Sequence, residues 1–387
     1  MAKQTKYLII ICLFSPILFF NLKSFVNGEN YHVLLASSLL HGKFSIAVSQ
    51  NYYWDLAVFD GQYFWPVGIS PALIMMPFVK IAGTNFQEIY LKLPLTILNF
   101  ILLFKIAKLL KLPSNKSIVF AAFFIFGSVY TPVATIAYST YFTQVVEVTF
   151  TLMAIYLFFI KKSWLLVGLA LALAVLARTT AMPAALFFLI SLAKKPIKLN
   201  NLLQFLTPIV LAVMFLAIYN YARFGNLFEQ GYSYQTNPEE AVKRRAHGLF
   251  SKGHIGANLY YLIVKTPDLL LDNSHNLKFP YLVYDPYGMS IFFLSPMLFL
   301  IFKANFKKPL VKSSLLTTLV ILIPILTYYG IGHRQIGYRY ALDFYPFLLI
   351  ILSQAARKVH INYLKILTAA GIAFTWFFIF QALILRL

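Results

Sequence analysis

A single cysteine and twelve acidic residues are all that this chain of 387 residues carries of either kind. Cys12 alone can form neither an intramolecular disulfide nor a cysteine-based metal site. Charged residues make up only 12% of the chain against 60% hydrophobic, and the mean hydropathy is +0.74, which excludes a soluble globular protein. The net charge of +21 is accompanied by no motif for binding RNA or DNA. Its lysines sit in short loops beside apolar runs, as the positive-inside rule expects, so no nucleic-acid partner is predicted.

Apolar runs long enough to cross a bilayer recur along the whole chain, each needing roughly 20 residues. About eleven spans are expected, near 7–22, 89–108, 117–135, 143–160, 164–179, 181–194, 202–221, 288–303, 313–330, 341–355 and 363–384. The fold class is therefore an all-α, polytopic transmembrane helical bundle, one integral-membrane domain over 1–387. The N-terminal MAKQTK is followed by YLIIICLFSPILFF with no A-x-A cleavage site. An uncleaved first span with a cytoplasmic N-terminus is favoured over a signal peptide. Lysines then mark the cytoplasmic side: Lys105, Lys108, Lys111, Lys161, Lys162, Lys194, Lys195, Lys198, Lys303, Lys307, Lys308, Lys312 and Lys358. Two long segments fall outside, 23–88 and 222–287. Within the first, residues 69–82 are too short and Pro-flanked for a span and are expected as an interfacial or re-entrant helix. The location implied is a cell membrane, plasma or inner.

No acid falls in a predicted cytoplasmic loop. Glu29, Asp55, Asp60 and Glu88 lie in the first external segment; Glu229, Glu239, Glu240, Asp268, Asp272 and Asp285 lie in the second. Asp343 sits at the outer end of the tenth span, and Glu147 about one turn inside the fourth. Any chemistry is therefore expected on the outer face.

An ionisable side chain in the hydrocarbon is costly and marks a functional candidate. Glu147, Arg178, Arg334 and Arg339 qualify. An internal ion pair, such as Arg178 with Glu147, would only orient helices. Alternatively, outer-face arginines hold an anionic group such as a phosphate through bidentate hydrogen bonds.

Residues 51–78, NYYWDLAVFDGQYFWPVGISPALIMMPF, set two aspartates among eight aromatics. An acid there can take a proton from an acceptor hydroxyl or amine, as a general base does. The candidates are Glu29, Asp55 and Asp60. Tyr52, Tyr53, Trp54, Tyr63, Phe64 and Trp65 suit an interfacial aromatic belt, with sugar stacking as the alternative for one or two. Gly61, Pro66, Gly68 and Pro71 break the chain and return it to the membrane.

Several landmarks in their order resemble the GT-C superfamily of polytopic glycosyltransferases, in the branch of protein O-mannosyltransferases and the lipid A aminoarabinose transferase. They are YHVLLASSLLHGKFSI, DLAVFDGQYFWPVGISPALIMMPFVKIAG, LVGLALALAVLARTTAMPAAL, NYARFGNLFEQGY and GHRQIGYRYALDFYPFLLI. The resemblance implies transfer from a polyprenyl-phosphate sugar to a glycan, lipid or protein acceptor on the non-cytoplasmic face. It implies a catalytic acid in the first external loop, where Gly28-Glu29-Asn30 departs from the family's Asp-Glu and leaves Asp55 as a competitor. It also implies a donor-phosphate contact at Arg178 and a family counterpart for the acid Glu147; Arg334 and Arg339 are the further phosphate candidates, with Tyr63, Tyr338 and Asp343 as supporting residues. The expected reaction inverts the anomeric centre. Carboxylates can hold Mg²⁺ or Mn²⁺, but a monophosphate donor needs no metal, and no cofactor is expected beyond the lipid-linked sugar. A transporter or flippase is the rival class. It would show two repeated halves with charges at their interface, and no repeat is visible.

Overall fold

The computed structural model describes residues 14–23, 29–48, 55–192, 198–237 and 239–385. Cys12, Tyr52, Tyr53, Trp54, Lys194 and Lys195 lie outside the described residues, as does the N-terminal half of the expected first span.

Helices account for nearly all the regular structure. They are α1 (14–23), α2 (Tyr31–Leu40), α3 (Ser70–Ala82), α4 (Glu88–Leu109), α5 (Ser114–Phe126), α6 (Tyr130–Thr135), α7 (Ser139–Phe159) and α8 (Trp164–Ala177). There follow α9 (Ala185–Leu192), α10 (Leu199–Phe224), α11 (Glu239–Arg245), α12 (Ile255–Leu259), α13 (Ile291–Leu294), α14 (Pro309–Thr327), α15 (Tyr345–Ala356) and α16 (Ile361–Phe380). Among the described residues, sheet is confined to two antiparallel hairpins, β1 (Ala57–Phe59) with β2 (Gln62–Phe64), and β3 (Asp268–Leu271) with β4 (Leu277–Val283).

Among the described residues, five helices are long and apolar enough to cross a membrane: α4, α7, α10, α14 and α16 with its extension to Leu385. The other apolar runs are shorter or broken. The run expected at 117–135 is interrupted between α5 and α6 at Gly127–Val129. The runs at 181–194, 288–303 and 341–355 each combine a 3₁₀ stretch with a short α-helix. Pro183 and Pro296 lie in two of those stretches, where a missing N–H breaks regular α-helix. The short Pro-flanked run is helical, as expected, forming α3 at Ser70–Ala82, and it packs against α2, α7 and α8.

Helix α7 is the centre of the bundle. Of its apolar window 67% is buried, against 28% for α10, which leaves one broad face of α10 outward. The two ends of the bundle differ chemically. At the lysine-rich end, Lys116 Nζ donates to the carbonyls of Arg357 (2.8 Å) and Val359 (2.7 Å), closing the end of α15. Arg357 Nε reciprocates on Leu110 O at the end of α4, at 2.9 Å. At the other end the two long loop segments are joined to each other. Asp55 N donates to Thr236 O (3.1 Å), Thr236 N to Leu56 O (2.8 Å), and Ala57 bridges Gln235. Arg245 Nη1 reinforces this by donating to Tyr232 O (2.9 Å) and Gln235 O (2.8 Å).

Gly68 fixes the first loop against the bundle. A Cβ at this position would lie 1.8 Å from Ala177 O, so only glycine lets the loop backbone reach the end of α8, one residue before Arg178.

Candidate active site

A cavity of about 410 Å³ opens at the end opposite the lysine-rich turns. Both joined loop segments wall it, together with the ends of α7, α8, α10 and α14. Five of the ionisable residues singled out from the sequence line it: Glu29, Asp55, Arg178, Arg334 and Arg339.

Glu29 enters from the residue pair preceding α2. It accepts a hydrogen bond from the backbone N–H of Ser139, the first residue of α7, while its Oε2 has no hydrogen-bond partner among the described residues. Its carboxyl is pushed up to about 8. Burial is the main cause, followed by the charges of Asp55 and Glu88; the Ser139 N–H and Arg334 oppose them. Asp55 holds a left-handed backbone, φ +67°, which is costly for a non-glycine residue and is sustained by the pairing with Thr236. Burial raises the Asp55 carboxyl also, against the lowering fields of Arg339, Arg334 and His333.

Those cations are poised rather than paired. Arg339 is buried in the 3₁₀ turn Arg339–Asp343, and its Nε has no partner among the described residues. Its guanidinium carbon stands 4.8 Å from the Tyr340 ring centre and 5.4 Å from that of Tyr141. Gln144 of α7 steadies it, Nε2 donating to Arg339 O at 3.0 Å. Arg334 has φ +51°, and its carbonyl accepts from Tyr141 Oη at 2.8 Å. Among the described residues, no carboxylate comes within 4.0 Å of the cationic nitrogens of Arg334 or Arg339. Arg339 is thus a desolvated guanidinium without an ion partner, suited to an anion, while Arg334 is exposed where it lines the same cavity.

Arg178 is different. The sequence suggested Glu147 as its partner; the structure corrects this to Asp343. Arg178 Nε and Nη2 donate to Asp343 Oδ1 and Oδ2 at 2.9 and 3.0 Å, and Thr180 Oγ1 adds a third bond at 2.6 Å. Glu147, two turns into α7, instead accepts from Thr151 Oγ1 at 2.7 Å. The 3₁₀ turn Arg339–Asp343 brings Asp343 to the end of α8, and Glu147 lies close enough to interact with both charges of the pair.

The remaining candidates lie off the cavity wall. Asp60 sits at the exposed turn joining β1 to β2, with φ +46° ahead of Gly61. Tyr63 is on β2 opposite Val58. Tyr338 is buried and donates from Oη to Asn258 Oδ1 at 2.9 Å. Trp65, offered for the interfacial belt, is instead core, packed against Tyr31 and His32.

Residues not singled out from the sequence also meet here. In NYARFG, Arg223 Nη2 donates to Asn220 Oδ1 (2.8 Å) and Nη1 to Trp65 O (3.0 Å), and Gly225 ends α10 with φ +65°. This segment clamps α10 to the first loop and lines the cavity. Arg244 of α11 donates to Tyr329 O and roofs it. The signal for Arg223 was available: a charge at the end of a long apolar run. Among the described residues no three His, Cys, Asp or Glu side chains are grouped as an ion would require. No family model matches the chain, and neither a curated protein nor a solved structure matches it.

Proposed function

We propose that this chain is a membrane glycosyltransferase that moves a sugar from a polyprenyl-phosphate donor to an acceptor hydroxyl on the non-cytoplasmic face. The observation that carries the proposal is that Glu29 and Asp55 line the same cavity as Arg334 and Arg339, neither of which has an ion partner among the described residues. The ordered landmarks that resemble the GT-C superfamily support it, as does the position of the cavity at the lysine-poor end. The topology that goes with it has about eleven crossings of a plasma or inner membrane and a cytoplasmic N-terminus.

In this mechanism Glu29, or Asp55 beside it, takes the proton of the acceptor hydroxyl. The acceptor oxygen bonds to the anomeric carbon from the face opposite the phosphate. The bond from that carbon to the phosphate oxygen breaks, and its electron pair leaves on the phosphate. Arg334 and Arg339 meet the charge that grows there. Because the leaving group is already a phosphate anion, no general acid is required. The acceptor, whether glycan, lipid or protein, is chosen by the walls that the 222–287 segment provides.

The test uses the full chain in lipid vesicles, supplied with radiolabelled polyprenyl-phosphate sugar. Transfer of label to an acceptor with release of polyprenyl phosphate is the expected result. Movement of intact donor across the bilayer without bond cleavage would make the chain a transporter and overturn the proposal.

A further inference from the structure

We infer that Glu88, held by Ser139 and balanced by Lys92, is a positioning residue for Glu29. This inference rests on the assignment of Glu29 as a proton acceptor in the proposed transfer.

Three helices begin at one point. α2 starts at Tyr31, α4 at Glu88 and α7 at Ser139. Their first turns are tied together. Glu88 Oε1 accepts from His32 N and from Ser139 Oγ, both at 2.8 Å. Ser139 Oγ accepts from Tyr31 N at 2.9 Å, and Asn30 Oδ1 accepts from Glu88 N at 3.1 Å. Each helix start presents partial positive charge. Their meeting surrounds a buried carboxylate with hydrogen-bond donors, and Glu88 takes that place with 4% exposure.

Ser139 is the hinge between the two acids. Its hydroxyl donates to Glu88, and its backbone N–H donates to Glu29. Glu29 therefore faces Glu88 across a single residue, with its free Oε2 buried. Lys92 lies one turn along α4 from Glu88, is 1% exposed, and donates to Ile136 O just before α7. Its charge acts on Glu88. A buried acid and lysine four residues apart in an apolar span need a reason, and neither lines the main cavity.

Glu88 does two things for Glu29. It fixes Ser139, whose N–H orients the Glu29 carboxyl. Its negative charge also makes Glu29 hold a proton more readily than an ordinary carboxylate. The groups facing Glu29 are Asp55 from the first loop, Glu88 from α4, Arg334 from the loop after α14, and Ser139 with Tyr138 at the start of α7. Of these, Asp55 and Glu88 favour the protonated acid, while Arg334 and the Ser139 N–H favour the carboxylate.

The experiment reads Glu29 directly, without any glycosyl transfer. Carbodiimides modify protonated carboxyls, so labelling of the full-length protein in detergent is followed at Glu29 by peptide mass spectrometry across a pH series. Glu88→Gln keeps the shape and the acceptor oxygen and removes the charge. The labelling midpoint is expected to fall by roughly one pH unit, the scale of a like-charge neighbour. The double variant Glu88→Gln with Lys92→Met leaves no unbalanced buried charge, which protects folding, and is expected to show the same downward shift. An unmoved midpoint in the folded single or double variant overturns the inference. Because the labelling needs no donor, a shift in a protein that transfers no sugar would sink the proposed function and leave the Glu88 relationship standing.

Discussion

Arg178 and Asp343, 165 residues apart, form a two-pronged ion pair, Nε to Oδ1 at 2.9 Å and Nη2 to Oδ2 at 3.0 Å. Asp343 is fully buried, and the Arg178 side chain is 13% exposed where the cavity begins. The pair joins the end of α8 to the turn that carries Arg339. Of the three arginines suggested for the phosphate, Arg178 thus has its fork engaged, and Arg334 and Arg339 do not.

Removing one partner of that pair leaves the other charge buried and alone, which costs about 3–5 kcal/mol. Asp343→Asn should therefore lower thermal stability strongly, measured as the unfolding midpoint in detergent. Replacing both (Arg178→Met with Asp343→Leu) should recover most of the loss. Should the recovered double variant also transfer sugar at the wild-type rate, Arg178 has no role toward the donor.

Arg339 and Arg334 carry the proposed charge stabilisation. Arg339→Gln should slow transfer by about 10²–10³-fold, the usual loss for one preorganised donor at a developing anion. Arg339→Lys should recover only part, since a point charge replaces the planar fork that stacks between Tyr340 and Tyr141. Initial rates at saturating donor decide this. A wild-type rate in Arg339→Gln would remove the residue from the phosphate site.

Much of this arrangement is legible in the sequence, because a bilayer punishes ambiguity. Helix α4 at Glu88–Leu109 matches the run expected at 89–108, and an ionisable residue in such a chain stands out at once. Glu29, Asp55, Arg334 and Arg339 were visible for that reason, and the Asp60–Gly61 pair reads as the turn it forms. Pairing across long separations is not legible. Nothing near Arg178 names Asp343, since only the packing of α8 and of the Arg339–Asp343 turn against α7 brings them together. Glu88 and Ser139 were similarly silent, because their meaning is a crossing point of three helix starts.

Gly68 offers a test of the loop that frames the site. Any Cβ there must displace the backbone of Ala177, and the flanking Arg178 with it. Gly68→Ala should cost about 1–3 kcal/mol as an overpacked contact and slow transfer as well. Gly42→Ala is the control, for a Cβ there meets nothing within 4 Å, although its left-handed φ of +70° carries a small strain of its own. Equal thermal midpoints for the two variants would show that the loop does not depend on this close approach.

In the proposed transfer, Glu29 as the base sets the pH dependence. Its carboxyl is raised to about 8, chiefly by burial and then by the charges of Asp55 and Glu88. Below that value Glu29 mostly holds a proton and cannot take one from the acceptor hydroxyl. Above it, the carboxylate predominates and can. Turnover should therefore rise with pH through about 8 rather than through the range of an ordinary glutamate. Glu29→Gln removes the proton-accepting group and should lower turnover by about 10²–10⁴-fold while flattening this limb. Asp55→Asn separates the two candidate bases. If Glu29 is the base, losing the Asp55 charge removes a repulsion, so the limb should move to lower pH with turnover largely kept. If Asp55 is the base, the same variant should instead lose turnover by the larger factor, and Glu29→Gln should keep it. Rates measured from pH 6 to pH 10 (about two units either side) on wild type and both variants assign the proton to one carboxylate or the other.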